Sequence, residues 1–154
     1  MSEPHALRES HMRAAIALAE RAFAEGEVPV GAVVARGDAV LGSGYNRREC
    51  LRDPTAHAEI LAIREAAVTL GSRRLSGCVL YVTLEPCPMC AGAIIAARLD
   101  AVWYGAADQD AGCCGSVYRI TEDPAFSFFT PAFGGLLSAE CEAPLSMFFK
   151  ARRG

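Results

Sequence analysis

The hydrophobic and polar positions of the chain follow two periods, one typical of helices and the other typical of strands. Between residues 4 and 25, apolar side chains recur every three or four positions, and Gly26 follows this stretch. We therefore predict an amphipathic first helix that ends at Gly26. Two apolar runs, 28–35 and 39–45, flank the polar sequence Arg36-Gly37-Asp38, which predicts two strands joined by a tight turn.

The middle of the chain is predicted to alternate between helix and strand. Asp53-Pro54-Thr55 is typical of a helix start, so we predict a helix from about Thr55 to about Leu70. The run 78–84 has the pattern of a buried strand, Pro88 favours a helix that reaches about Arg98, and 101–105 is again apolar. This alternation predicts a mixed α/β sheet covered by helices on both faces.

Beyond Asp108 the pattern is weaker and predicts two further helices. One is short, near residues 116–120, and the other extends from about Ser138 to Arg153. Pro144 lies inside the second helix and has no N–H to donate one turn back, so we expect a kink or a split there. No repeat or linker divides the sequence, and we expect residues 1–154 to form a single domain.

Composition narrows the class of protein. The 154 residues are 52% hydrophobic and 21% charged, which argues against disorder. The net charge of −3 excludes a strongly basic nucleic-acid-binding module but leaves room for a local basic surface. The arginine pairs at 47–48, 73–74 and 152–153 could hold phosphates, although each is by itself more typical of a solvated surface.

The sequence also carries expectations about location. Residues 1–10 mix charged and polar side chains and do not have the pattern of a signal peptide. The longest apolar run, 87–97, is shorter than the ~20 residues that a membrane helix needs. Seven cysteines, two of them with metal-ligand spacing, favour a reducing compartment. We therefore expect a soluble cytoplasmic protein with no membrane partner.

Candidate chemistry is concentrated in two short motifs. His57-Ala58-Glu59 opens one predicted helix, and Pro86-Cys87-Pro88-Met89-Cys90 opens another. One His and two Cys can hold a zinc ion and leave its fourth position to water, as in catalytic sites. Cys87 and Cys90 lie at i and i+3 on one side of a helix turn, and positive helix N-termini favour their thiolate forms. Glu59 is the candidate catalytic base.

These parts predict a hydrolytic reaction. Zinc lowers the pKa of water from 15.7 towards about 7, and Glu59 would move protons from that water to a ring nitrogen and to a departing amine. Two alternatives do not require catalysis. The Cys pair could be a redox pair, or the zinc could be a closed structural site with a fourth ligand from Cys50, Cys78, Cys113 or Cys114.

The sequence resembles the bacterial tRNA wobble adenosine deaminases. The resemblance rests on four segments, EVPVGAVV (27–34), DPTAHAEI (53–60), LYVTLEPCPMCAGAI (80–94) and ECEAPLSMFF (140–149). It implies a three-layer α/β/α cytidine-deaminase-like fold with a central mixed sheet of about five strands. It also implies a homodimer, one Zn²⁺ per subunit held by His57, Cys87 and Cys90, and hydrolytic conversion of adenosine to inosine in a tRNA anticodon stem-loop.

The resemblance also implies residue roles around the substrate. Asn46 matches the family residue whose side-chain amide contacts the target base, although a turn residue at a strand end is the alternative from the sequence alone. Other family positions line the base pocket or meet the RNA, namely Val28, Pro29, Val30, Leu84, Asp108 and Phe149. The unpaired bases of an anticodon loop can be extruded into such a pocket.

A second enzymatic hypothesis remains open from the sequence. Residues 127–131 read Ser-Phe-Phe-Thr-Pro where the family commonly has a polar, basic segment, and the net charge is acidic. These features favour a deaminase of a free nucleobase or nucleoside, such as guanine or cytosine. We expect the two Phe side chains to pack in the core or in a dimer interface.

Overall fold

The structure is a computed structural model that describes residues 4–153, without the Arg153 side chain. The first third of the chain forms a helix and an antiparallel hairpin. The predicted first helix is confirmed as α1, His5–Ala24, and the hairpin comprises β1, Gly31–Arg36, and β2, Ala39–Tyr45. The expectation about a signal peptide lies partly outside the described residues, and so does the arginine pair 152–153.

The start of the first strand differs from the prediction. β1 begins at Gly31 and not at Val28, because Val28 to Val30 form a tight bend in which the N–H of Val30 donates to the carbonyl of Val28. The backbone of Asn46 then donates to the carbonyl of Val30 at 3.0 Å. An irregular segment, which a period-two pattern does not reveal, thus precedes the sheet.

The middle of the chain contains three helices and two parallel strands. After the unpredicted short helix α2, Arg48–Leu51, come α3, Ala58–Leu70, β3, Val79–Leu84, α4, Pro88–Ala97, and β4, Ala101–Ala106. The predicted start at Thr55 is wrong, because His57 has an extended backbone and only caps α3.

The last third is where the prediction fails most. Instead of a helix near 116–120, a short 3₁₀ turn covers Ile120–Glu122, and an unpredicted strand β5, Ala132–Phe133, follows. Helix α5, Ser138–Arg153, is confirmed, but it continues through Pro144 without a split. Cys141, Leu145 and Phe148 are buried on one side of α5, and this packing offsets the single backbone hydrogen bond that proline removes.

The five strands form one mixed sheet in the order β2-β1-β3-β4-β5. β1 pairs antiparallel with β2 and β3, whereas β3, β4 and β5 run parallel. Helix α1 approaches the sheet at Gly31 and α3 approaches it from the other face at Gly42, where any side chain would collide with the helix backbone. α5 packs beside α1, and α4 packs beside α3. The predicted α/β/α fold with about five strands is therefore confirmed.

The parallel pair β3–β4 determines where functional side chains collect. Residues after the carboxyl ends of adjacent parallel strands meet at one edge of a sheet. Glu85 follows β3 directly, and Asp108 follows β4 after one residue. The same edge receives the first residues of α3 and α4. Among the described residues, no helix has the length and apolarity to cross a membrane.

Candidate metal centre and active site

Two helix starts place the three predicted metal ligands together. His57 is the N-cap of α3 and Cys87 is the N-cap of α4, and both have extended backbones. Neither side chain caps its own helix with a hydrogen bond, so both are free to turn toward a ligand. Cys90 lies in the first turn of α4 and is fully buried. The positive ends of two helices thus converge on the same point, which favours thiolates there.

The distances within this group fit a tetrahedral zinc site. Nδ1 of His57 lies 3.7 Å from Sγ of Cys87 and 3.6 Å from Sγ of Cys90. Bond lengths of about 2.3 Å for Zn–S and about 2.0 Å for Zn–N at the tetrahedral angle give an edge of about 3.5 Å. Within residues 4–153, no fourth His, Cys, Asp or Glu joins the group. The donor set therefore fits zinc with one position left open, and not a closed structural site.

Without a metal ion, the two cysteines hold one proton between them, with Cys90 as the hydrogen-bond donor and Cys87 as the acceptor. The pKa of Cys87 is lowered to about 4, first because Cys90 donates a hydrogen bond to it and then because His57 lies beside it. That contact with Cys87 and the burial of the thiol raise the pKa of Cys90. The pKa of His57 is raised, chiefly by its hydrogen bond with Cys87. A cation would therefore bind a site that already holds one thiolate.

Glu59 lies in the first turn of α3 with only 4% of its surface exposed. Burial raises the pKa of its carboxyl to about 7, although the hydrogen bonds and the charge of His57 oppose this rise. On an ideal helix, residues i and i+2 face different directions. Because His57 is extended and outside the helix, this restriction does not apply, and both side chains reach one cavity.

A cavity of about 200 Å³ lies over the metal group. Four of the residues with predicted substrate contacts line it, and so do His57, Cys87 and Glu59; the four are Val30, Asn46, Leu84 and Asp108. Val28 and Pro29 adjoin this wall without lining it, and Phe149 lies on α5, where its ring packs edge-on against Phe148. A larger groove of about 660 Å³ between α1 and α5 contains none of the metal group.

Asn46 is fixed in orientation by hydrogen bonds at both ends of its amide. Nδ2 donates to the carbonyl of Val28 at 3.2 Å, and Oδ1 accepts from the backbone N–H of Arg48 at 3.3 Å. The second contact is the turn geometry expected of an Asn at a strand end. Each end of the amide retains one further hydrogen-bonding position, so a structural role and a substrate contact are compatible.

Glu85, which the sequence did not single out, supports one wall of the cavity. This carboxylate is buried and accepts hydrogen bonds from the backbone N–H groups of Asp108, Cys114 and Ser116, and from the Ser116 hydroxyl. Burial alone would raise the pKa of Glu85, but these donors outweigh it and hold the pKa below its usual range. The only sequence signal was a Glu directly after a buried strand.

Glu27 supports the opposite wall and was also missed. Its two carboxylate oxygens accept the backbone N–H groups of Glu49 at 3.2 Å and Cys50 at 2.7 Å. Glu27 is 2% exposed, so it holds the start of α2 from inside the molecule. Arg48, the first residue of α2, contributes to the lining of the cavity.

The structure also defines the environment of three further groups of side chains. Phe128 is half-buried against Arg98, whereas Phe129 is 59% exposed, so neither packs in the core, and their place in a dimer interface stays a prediction. Cys113 and Cys114 are buried free cysteines in the irregular segment after β4. The ring of His11 is buried, with Nε2 2.9 Å from the carbonyl oxygen of Gly37.

Comparisons with known proteins agree with this site. The model of the cytidine and deoxycytidylate deaminase zinc-binding region matches residues 6–106. The chain is 42% identical to a tRNA-specific adenosine deaminase of Bacillus subtilis, over 94% of this chain and 90% of the relative. A solved tRNA:A34 deaminase, described in studies of A-to-I editing at the wobble position of transfer RNA, superposes with a TM-score of 0.85 at 41% identity, covering 88% of this chain and 99% of the other.

A second solved structure is more distant. It is a guanine deaminase from Nitrosomonas europaea, with a TM-score of 0.76 and 26% identity, covering 91% of this chain and 83% of the other. The sequence is thus more similar to the two tRNA deaminases than to this free-base deaminase.

Proposed function

Because the chain belongs to the family of zinc-dependent cytidine and deoxycytidylate deaminases, we propose that it converts adenosine to inosine at the wobble position of a tRNA anticodon. The observation that carries the chemistry is the three-donor metal group beside the buried carboxyl of Glu59 in one cavity. The choice of substrate is supported by relatives that are named for this reaction and match nearly the whole chain.

His57, Cys87 and Cys90 would hold the zinc ion. When bound, zinc supplies a Lewis acid that lowers the pKa of water toward neutrality. Two thiolates and a neutral imidazole balance the charge of the ion, so the carboxylate of Glu59 is not needed as a ligand. That carboxylate stays available for proton transfer.

Glu59 would carry the protons that deamination requires. Replacing a ring amino group by a carbonyl moves both protons of the attacking water, one to the ring nitrogen and the other to the departing amine, which leaves as ammonia. In the site without a metal ion, burial raises the pKa of the Glu59 carboxyl to about 7, so uptake and release of a proton fall near neutral pH. The buried position of Glu59 limits exchange of that proton with bulk water.

Asn46 and the apolar walls would orient the base. The amide of Asn46 is held in one orientation by Val28 and Arg48, and its remaining donor and acceptor match the mixed edge of a purine. Val30 and Leu84 lie on the same cavity wall and would contact the faces of the ring. Val28, Pro29, Asp108 and Phe149 would act around this pocket or on the flanking RNA.

The test is nucleoside mass spectrometry after incubation of zinc-loaded protein with an anticodon stem-loop that carries adenosine at the wobble position. We expect inosine at that position only. The same protein is incubated with free guanine, free cytosine and adenosine. Release of ammonia from a free base without inosine in the RNA would replace the tRNA assignment with the free-base alternative.

The chain is also proposed to act in the cytoplasm as a homodimer. Several large apolar side chains between residues 117 and 129 are exposed, and Tyr118 and Phe129 are the most exposed of them at 67% and 59%. These side chains lie close together along the chain, and large exposed apolar surface is typical of association surfaces, which supports an interface. Sedimentation equilibrium should give twice the chain mass of 16.3 kDa; a monomer across the concentration range would contradict the dimer.

A further inference from the structure

The cavity over the metal group admits only part of a nucleotide. Its volume of about 200 Å³ is below the ~300–1,000 Å³ of pockets that enclose a drug-sized ligand. A base that enters it would leave its sugar and phosphates at the mouth. The residues at the mouth therefore distinguish a polynucleotide from a free base.

Arg48 lies at this mouth. It lines the cavity, and it also lines an adjoining surface hollow together with Glu49, Arg52, Asp53 and Pro54. Within residues 4–153, neither Arg48 nor Arg52 takes part in a salt bridge. The cavity lining also includes Asp108, whose carboxylate accepts the N–H groups of Asp110 and Ala111 and is not paired with Arg48. The guanidinium of Arg48 thus adjoins the cavity and that of Arg52 adjoins the hollow beside it, both without a salt bridge within residues 4–153.

The position of Arg48 is fixed by groups beneath it. Its backbone N–H donates to Asn46, and its carbonyl accepts the N–H of Asp53 at 3.0 Å. The next two N–H groups of α2 donate to Glu27, which is buried. Both oxygens of Glu27 act as acceptors, so a glutamine there would place an amide donor against a backbone donor.

We propose that Arg48, supported by Arg52, binds a phosphodiester group next to the reactive nucleotide, and that Glu27 is the positioning residue that holds Arg48 at the mouth of the cavity. A guanidinium group suits this ligand because its planar donors match two phosphate oxygens at once. The inference rests on the proposed function, since it needs a polynucleotide substrate. It assigns to this chain a contact that a free base could not make.

The test measures binding and turnover separately. A fluorescent anticodon stem-loop is titrated with zinc-loaded protein carrying Glu59→Ala, which prevents turnover, at KCl concentrations between about 50 and about 300 mM. Arg48→Gln should raise Kd about tenfold, since it removes a charge-assisted hydrogen bond. It should also reduce the slope of log Kd against log salt by about 0.7 to 0.9, the value for one phosphate contact. Arg48→Lys should raise Kd about threefold, because lysine keeps the positive charge but lacks the planar pair of donors.

Arg74→Gln is the matched control. The sequence alone left the pair 73–74 as a possible phosphate contact, but Arg74 is exposed and does not line the cavity. It lies beyond the far end of α3, a helix of 13 residues whose length is about 20 Å. The same loss of charge there should change Kd by less than about twofold and leave the salt slope unchanged. Equal effects of Arg48→Gln and Arg74→Gln would overturn the phosphate contact, while inosine formation by the wild type would still support the proposed function.

A double-mutant cycle tests the role of Glu27. With Glu59 restored, Glu27→Gln should raise KM for the stem-loop about threefold to tenfold and change kcat by less than about twofold, with full zinc content. In the Arg48→Gln background, Glu27→Gln should add no further increase in KM, because its effect acts through Arg48. Independent, multiplicative effects on KM would overturn the positioning role.

If Glu27→Gln does not fold, Arg48→Gln and Arg48→Lys still decide the phosphate contact. If the wild type forms no inosine, the proposed function is contradicted, and the phosphate contact, which rests on it, is contradicted with it.

Discussion

Two buried glutamates, Glu59 and Glu85, line the cavity, and the balance between burial and hydrogen-bond donors decides the chemistry of each. Glu85 has four donors, which outweigh the cost of burial and keep its pKa low. At Glu59 burial dominates and the pKa rises to about 7. Two carboxyl groups in one cavity thus differ in whether a proton binds them near neutral pH. This difference supports the proposed role of Glu59 in proton transfer, whereas Glu85 keeps a fixed negative charge.

Glu59→Ala is expected to separate chemistry from metal binding. Removing the carboxyl should lower kcat by about 10²–10⁴ or more, since that is the typical range for a general acid–base residue. Zinc content should stay at one ion per chain, because the three donors are intact. Mass spectrometry of inosine and elemental analysis of zinc measure the two quantities.

Cys87→Ala provides the opposite result. It removes one of three protein ligands, so the purified variant should lose both zinc and activity. If Glu59→Ala lost zinc as well, Glu59 would have to be reassigned from proton transfer to metal binding.

The motif residues were predictable from sequence because their partners are local or share a known spacing. His57, Cys87 and Cys90 belong to two short motifs, and each motif lies at the start of a helix. Glu27 and Glu85 were not predictable, because their hydrogen-bond partners lie 22–31 positions along the chain. A buried Glu and an exposed Glu have the same letter, and only the fold distinguishes them.

At the scale of elements, the loop that follows β4 depends on one carboxylate. Glu85 joins residues 108, 114 and 116, and without it those backbone N–H groups would be buried without an acceptor. The segment 107–119 contains no regular helix or strand. Its conformation therefore comes from side-chain contacts that periodicity does not encode, which explains why the helix predicted near 116–120 is wrong.

Glu85→Gln should destabilise the protein by about 2–4 kcal/mol, since one amide donor would face backbone donors in a buried site. The free energy of unfolding is measured by urea denaturation of the zinc-loaded protein. Glu142→Gln makes the same chemical change at an exposed position of α5 and should cost less than about 0.5 kcal/mol. Equal destabilisation by the two variants would contradict the role assigned to Glu85.

Helix α5 continues as one helix through Pro144 because buried residues on either side anchor it. Cys141 is 1% exposed and Leu145 is 8% exposed, so both flanks of the proline are held against the sheet. Local propensity correctly identified a weak point, but tertiary packing overrides it. The same reason explains why the two-residue strand β5 was missed: its length carries no pattern, and its pairing with β4 is a tertiary contact.

Pro144→Ala is therefore expected to stabilise the protein. Alanine restores the N–H that can donate one turn back, to the carbonyl of Glu140, and removes the ring that opposes the helix. The greater freedom of alanine in the unfolded chain offsets about 0.4–1 kcal/mol of this gain. We expect a net stabilisation of about 1–2 kcal/mol by urea denaturation. A loss of stability would show that the helix depends on the proline.

At the scale of the whole molecule, the sheet order brings distant segments to one edge. The antiparallel hairpin supplies Asn46 and the α2 wall, whereas the parallel pair β3–β4 supplies Glu85 and the Asp108 wall. The α/β/α class was predictable because helices and strands alternate along the chain. The strand order and the meeting of the two walls over the metal group were not, since they depend on long-range pairing.

The same architecture sorts the seven cysteines by reactivity. Five of them are buried, Cys87 is half-buried, and Cys50 is exposed. Burial raises the pKa of Cys114 and Cys141 to about 12, so their thiols should stay protonated at neutral pH. Cys87 and Cys90 are the candidate zinc ligands, and a bound thiolate is shielded from reagents.

Thiol titration with an aromatic disulfide reagent should therefore report zinc occupancy. The zinc-loaded protein should show one fast-reacting thiol at pH 7.5, and Cys50→Ser should remove it. A chelator should add the reaction of Cys87, because its pKa of about 4 leaves it as a thiolate once the metal has gone. All seven should react in denaturant. Release of the ion must expose the sulfur that held it. If a chelator removes zinc from the Cys50→Ser protein, as shown by elemental analysis, and no thiol becomes reactive, the assignment of Cys87 as a ligand is contradicted.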